Sequence, residues 1–149
     1  MKDRLQIIAL AFRVPLGAWF LYSGAEKIFV SGLDRFTYDV GNYRMLAAPW
    51  DAVIAYTIPW AEVICGIFLL LGLLRKGTIL AMTGLVISFA SAIGWAWSKN
   101  LDITCGCHGG DAPINYWLKT FEFIGYFLIL GWLWWVESRR PVQNLADSA

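Results

Sequence analysis

One short segment of the chain carries residues suited to redox chemistry. Cys105, Gly106, Cys107 and His108 follow one another directly. A disulfide between cysteines one residue apart closes a small, strained ring, and strained disulfides exchange readily. Glycine is the residue that best tolerates the backbone of such a ring. A protonated histidine beside the pair stabilises the thiolate. The segment therefore predicts a dithiol used for exchange, with Cys105 and Cys107 as the reacting residues.

Two other roles stay open for the same residues. Cys105, Cys107 and His108 are soft ligands of the kind that copper and zinc prefer. They crowd into four positions, however, and the whole chain has three cysteines and one histidine. A metal site and a purely structural role are the alternatives to a redox dithiol. Cys65 lies inside an apolar segment and is interpreted as a buried apolar residue.

Three charged residues, Arg13, Glu62 and Glu122, fall inside apolar segments. A charge facing lipid costs several kcal/mol, so each should face the interior and find a partner. Arg13 lies about 12 Å from the cytoplasmic start of the first predicted helix, and Glu62 lies about 15 Å from the outer start of the second. In a hydrocarbon core about 30 Å thick, these two depths nearly coincide. We therefore expect an Arg13–Glu62 ion pair that fixes helix register, with proton or quinone handling as the alternative.

Glu122 lies about 9 Å below the start of its own helix, on the side of the cysteine segment. At that depth it is a candidate acceptor for a proton released by thiol chemistry. The alternative is a structural pair with Lys27 or Lys119.

The elements that must position these residues are membrane-spanning helices. Of the 149 residues, 58% are hydrophobic and 15% are charged, against about a quarter charged in soluble domains. A helical span needs about 20 apolar residues, and open strands cannot satisfy their backbone in lipid. We predict an all-α integral membrane four-helix bundle in a single domain. Its helices are expected at about 5–29, 52–74, 78–98 and 116–136, with a polar loop over 30–51.

Orientation follows from the basic residues that flank the predicted spans, because cytoplasmic flanks carry more Lys and Arg. One side holds Lys2, Arg4, Arg75, Lys76, Arg139 and Arg140. The other holds Arg35, Arg44 and Lys99, plus Lys27 if it is counted. The chain is therefore expected in a bacterial inner membrane with both termini on the cytoplasmic side. The cysteine segment then faces the periplasm, where disulfides persist. A net charge of +1 gives no reason to expect a nucleic-acid partner.

The pattern resembles the MauE/DoxX-like membrane proteins, including the methylamine-utilisation MauE group. The resemblance rests on Arg13, Leu16-Gly17, Ser23-Gly24 and Lys27, on Pro59, Glu62 and Gly66, and on Cys105-Gly106-Cys107. It implies a four-helix bundle linked to disulfide formation or electron transfer for periplasmic partners. Relatives commonly have an aromatic residue after the second cysteine, where this chain has His108, so no role for His108 carries over.

The preferred hypothesis is a membrane thiol–disulfide redox protein that exchanges electrons or disulfides with a periplasmic or exported redox protein. No motif identifies the electron acceptor, and a quinone is one candidate. Trp95, Trp97 and Trp117 flank the cysteine segment; they are interpreted first as interfacial anchors and second as an aromatic wall for such a ring. The alternatives are a non-catalytic subunit or assembly factor of a larger membrane complex, and a copper- or zinc-binding module.

Overall fold

The computed structural model describes residues 2–101 and 115–139, and every regular element in those ranges is helical. The helices are α1 (Lys2–Ala25), a π-helical turn (Glu26–Val30), α2 (Leu33–Asn42), α3 (Trp50–Leu71), α4 (Arg75–Ser98) and α5 (Tyr116–Ser138). Cys105, Cys107 and His108 lie outside the described residues. The predicted all-α membrane fold is confirmed.

Three stretches are both long and apolar enough to cross a bilayer: Arg4–Val30, Trp50–Leu71 and Arg75–Ser98. The fourth long helix, α5, has 23 residues, which corresponds to about 34 Å at 1.5 Å per residue. Large apolar side chains project outward from these helices, as expected where the solvent is lipid. Examples are Ile7, Leu71, Phe121 and Leu128.

Helices α1 and α3 form the most intimate contact of the bundle, and they run antiparallel. Gly17 faces Gly66, and Gly24 faces the Pro59 carbonyl. A methyl group on Gly66 would lie 2.7 Å from the Leu21 nitrogen, and one on Gly24 would lie 2.7 Å from the Pro59 oxygen. Small residues therefore let the two backbones approach closely, which is how helices associate in lipid.

Much of the interior between the long helices is apolar. Leu16 and Phe20 of α1, Leu69 of α3 and Met82 of α4 are buried together with Leu130 of α5. Cys65 is partly buried against this core with a free thiol. Its position agrees with the interpretation of Cys65 as an apolar packing residue.

The region expected to be a polar loop instead contains α2. Phe36 is buried on one side of this helix, while Asp34 and Arg35 stay nearer the surface. An amphipathic helix of this kind buries its apolar face and leaves its charges in water. The loop prediction failed because one helical turn of apolar residues in a charged segment is a weak sequence signal.

The two ends of the bundle carry different features. The loop end holds α2 together with Leu101 and Asn115, which flank residues 102–114. The terminal end holds the start of α1, the turn between α3 and α4, and the end of α5. Phe12 of α1 packs edge-on against Trp132 of α5 at this end, with ring centroids 5.6 Å apart.

Candidate functional site

A buried ion pair lies toward the loop end of the bundle, between Lys27 of the π-helical turn and Glu62 of α3. The ammonium donates to both Glu62 oxygens, at 2.8 and 3.1 Å, and to the Ser23 hydroxyl at 2.7 Å. The two charged side chains are 1% and 2% exposed. Pairing with hydrogen bonds to every donor is the condition under which such charges can be buried.

The predicted Arg13–Glu62 pair is wrong. Arg13 lies near the terminal end, where its guanidinium packs beside Gly72 in a small cavity also lined by Arg75 and Glu137. The antiparallel register brings Gly24, not Arg13, level with Glu62. Arg13 lies beside Gly72, at the end of α3, whereas Glu62 lies nine positions before Leu71, the last residue of that helix. Counting depth from the two helix starts missed this offset.

Sequence reasoning assigned Lys27 to the end of the first helix and missed it as the partner of Glu62. A signal was present, because Ser23 and Lys27 are four residues apart and share a helix face with Gly17, Phe20 and Gly24. The π-helical turn keeps the chain helical through Lys27, and such turns are frequent at functional sites.

Aromatic rings enclose the Lys27 ammonium. The Phe36 ring of α2 and the Phe89 ring of α4 have their centroids 5.5 and 5.4 Å from its nitrogen. At these distances the ring faces attract a cation. Helix α2 thereby acts as a cover that separates the ion pair from the water boundary.

A second polar group surrounds Glu122 on α5. Its carboxylate accepts from Lys119 at 2.7 Å and from the Tyr126 hydroxyl at 2.6 Å. The side chain is 27% exposed, so it is far less enclosed than Glu62. The pair with Lys119 is the structural alternative considered for Glu122, and a role in proton transfer stays a prediction.

The two polar groups line one cavity. Ser23, Lys27 and Glu62 form one side, while Lys119, Glu122 and Tyr126 form another. The cavity volume is about 30 Å³, and a water molecule needs about 10–15 Å³ of such space. One or two waters would therefore fit beside two carboxylates and two ammonium groups.

The chain segments on either side of residues 102–114 are held together by a hydrogen bond and by contacts between aromatic rings. The Tyr116 hydroxyl donates to the Leu101 carbonyl. The Trp97 ring stacks on Tyr116, with centroids 5.9 Å apart, and meets Trp117 edge-on at 5.4 Å. The flanks of the cysteine segment are thus held together at the loop end.

Within residues 2–101 and 115–139, no group of three or more His, Cys, Asp or Glu side chains could hold a metal ion. The alternative metal ligands Cys105, Cys107 and His108 lie outside those ranges, so a metal site there stays a prediction.

Comparison with known proteins gives a family match over nearly the whole chain. The model of the family described as methylamine utilisation protein MauE matches residues 5–136, which include the ion pair, the Glu122 group and the cysteine segment. No curated protein and no solved structure matches the chain. The chain belongs to the MauE family of membrane proteins.

Proposed function

We propose that the chain is a membrane thiol–disulfide redox protein that acts on an exported partner through Cys105 and Cys107. In the exchange, a partner thiolate attacks the Cys105–Cys107 disulfide and forms a mixed disulfide. A second thiolate of the partner then attacks this mixed disulfide and releases the cysteine of the membrane protein. The partner gains a disulfide, and Cys105 and Cys107 become thiols, so two electrons enter this protein. The family description suggests a partner that belongs to methylamine utilisation.

One observation supports this proposal above the others: the shared polar cavity lies toward the same end of the bundle as the flanks of the cysteine segment. Thiol exchange releases and takes up protons, and groups within reach of a water can accept them. Glu122 is the more exposed of the two carboxylates in the cavity. We assign it the role of proton acceptor, and His108 the role of stabilising the thiolate.

The proposal includes the orientation of the protein. Arg4, Arg75 and Arg139 all belong to the terminal end, and basic residues favour the cytoplasmic side. We infer that both termini are cytoplasmic in a bacterial inner membrane and that the loop end faces the periplasm.

Thiol trapping tests the proposal. Cys65→Ala removes the third cysteine, so any labelling reports Cys105 and Cys107 alone. In intact cells, a membrane-impermeant maleimide should add two labels after reduction and none after oxidation. The Cys105→Ser, Cys107→Ser double variant in the same background is the control without reactive thiols.

A trap for the partner completes the test. With Cys107→Ser, Cys105 keeps its thiol but loses its resolving partner, so a mixed disulfide with an exported protein should accumulate. Equal labelling of Cys105 and Cys107 under oxidising and reducing conditions would overturn the redox proposal. Normal function of the double serine variant would support a non-catalytic subunit or assembly factor instead.

A further inference from the structure

A second, larger cavity lies between α2 and α4, with α3 as its floor. Its volume is about 320 Å³, within the roughly 300–1,000 Å³ of small-molecule sites. Among the described residues α2 packs on α3 and on the π-helical turn but makes no close backbone contact with α4. The gap between these two helices is therefore a cleft, which we call the α2–α4 cleft.

The walls of the α2–α4 cleft suit a flat, lipid-soluble ring. Its lining is mainly aliphatic and aromatic, with Phe36 from α2, Ile54 and Ile58 from α3, and Phe89 from α4. A few polar residues stand among them, namely Asp39, Tyr43, Ser88 and Ser91. Small-molecule sites combine such walls with a few polar groups that orient the ligand.

The cleft shares a wall with the polar cavity. The Phe89 side chain lines both, and Phe36 and Phe89 are the rings that enclose the Lys27 ammonium. A ligand in the cleft would thus be separated by a single layer of side chains from groups that can carry protons. The acyl chain of a lipid takes up no protons, whereas a molecule that takes up protons on reduction needs proton donors nearby.

We propose that the α2–α4 cleft binds a membrane quinone, which accepts the electrons of the cysteine pair. The proposal rests on the proposed redox function. Reoxidation of the thiols of Cys105 and Cys107 to a disulfide releases two electrons and two protons. One quinone takes up both and leaves as quinol, so the step balances.

Distance along α4 is compatible with this coupling. Ile93 lines the cleft five positions before Ser98, where α4 ends, or about 7.5 Å along the helix, and Leu101 follows shortly after. The cleft and the attachment point of the cysteine segment therefore belong to the same end of the bundle.

Quinone binding by the purified protein in nanodiscs is the direct test, with a benzoquinone carrying a short alkyl tail as the probe. Ser88→Phe adds a ring to an exposed position in the cleft, and we expect it to raise the Kd at least tenfold. Ala92→Phe is a second cleft-filling variant. Leu80→Phe is the matched control, since Leu80 is 58% exposed on the same helix outside the cleft; its Kd should equal that of the unmodified protein.

Several outcomes would overturn the proposed site. These are no quinone binding, equal binding by both cleft variants and the control, or equal displacement by an alkane of the same tail length. Chemical oxidation of the cysteine pair, followed by maleimide labelling, separates the two proposals. Cysteines that cycle without quinone binding refute the site alone, and inert cysteines refute the redox function.

Discussion

The two ends of the bundle both pair charges, but under different conditions. Toward the loop end, Lys27 and Glu62 meet at 2.8 Å with 1% and 2% of their side chains exposed. At the terminal end, Arg75 and Glu137 are 3.7 Å apart, with 40% and 15% exposed. Removing water strengthens an interaction between charges and also makes an unpaired charge far more costly. The pair near the loop end is thus tied to helix register, while water can replace either partner at the terminal end.

Breaking the buried pair should give the largest effect. Lys27→Met leaves the Glu62 carboxylate buried without its counter-ion, which costs about 3–5 kcal/mol in comparable sites. Thermal unfolding in detergent should show this loss of stability. The double variant Lys27→Met, Glu62→Met should recover most of it, because both charges are then gone. A single variant as stable as the unmodified protein would contradict the comparison.

The close packing beside the buried pair should come next. Gly24→Ala places a methyl group 2.7 Å from the Pro59 carbonyl oxygen and 2.9 Å from a Val63 methyl. Overpacking of this kind typically costs about 1–3 kcal/mol. Gly84→Ala is the control, since a methyl group there meets nothing within 4 Å. Equal unfolding temperatures for the two variants would show that the α1–α3 seam tolerates expansion.

A smaller effect, on rate, should distinguish chemistry from packing in the shared cavity. Glu122→Gln removes the proposed proton acceptor but keeps the shape of the side chain. We expect thiol oxidation at Cys105 and Cys107 to slow at least a hundredfold, because general acid–base catalysis supplies about 10²–10⁴-fold. Tyr126→Phe removes the hydrogen bond to Glu122 but keeps the carboxylate, so its rate should fall less. An unchanged rate for Glu122→Gln would leave that residue a structural role.

The terminal end should respond least. Glu137→Gln weakens a partly exposed pair, and such pairs contribute about 0–1 kcal/mol. The loss should shrink further at high salt, because salt screens exposed charges. Unfolding measured at low and high salt tests both expectations. A loss as large as that of Lys27→Met would mean that the two ends are equivalent.

The long helices were predictable because each carries a signal that depends on composition alone. Runs of about 20 apolar residues exclude most alternatives in lipid, and all four predicted spans match the observed helices to within three residues at each end when the π-helical turn is counted with α1. Helix α2 was missed, since its buried face reduces to Phe36 and a few half-buried neighbours. Only its packing on α3 reveals that this segment is ordered as a cover.

The sequence by itself determined that the chain is a helical membrane protein and that charges inside its spans need partners. It also predicts Cys105 and Cys107 as a reactive pair. Tertiary structure decided which charges meet. The partner of Glu62 depends on the register of α1 against α3. That register is set by contacts such as Gly17 with Gly66 and Gly24 with Pro59. Composition fixes the cost of burying a charge; only packing selects Lys27, rather than Arg13, to meet it.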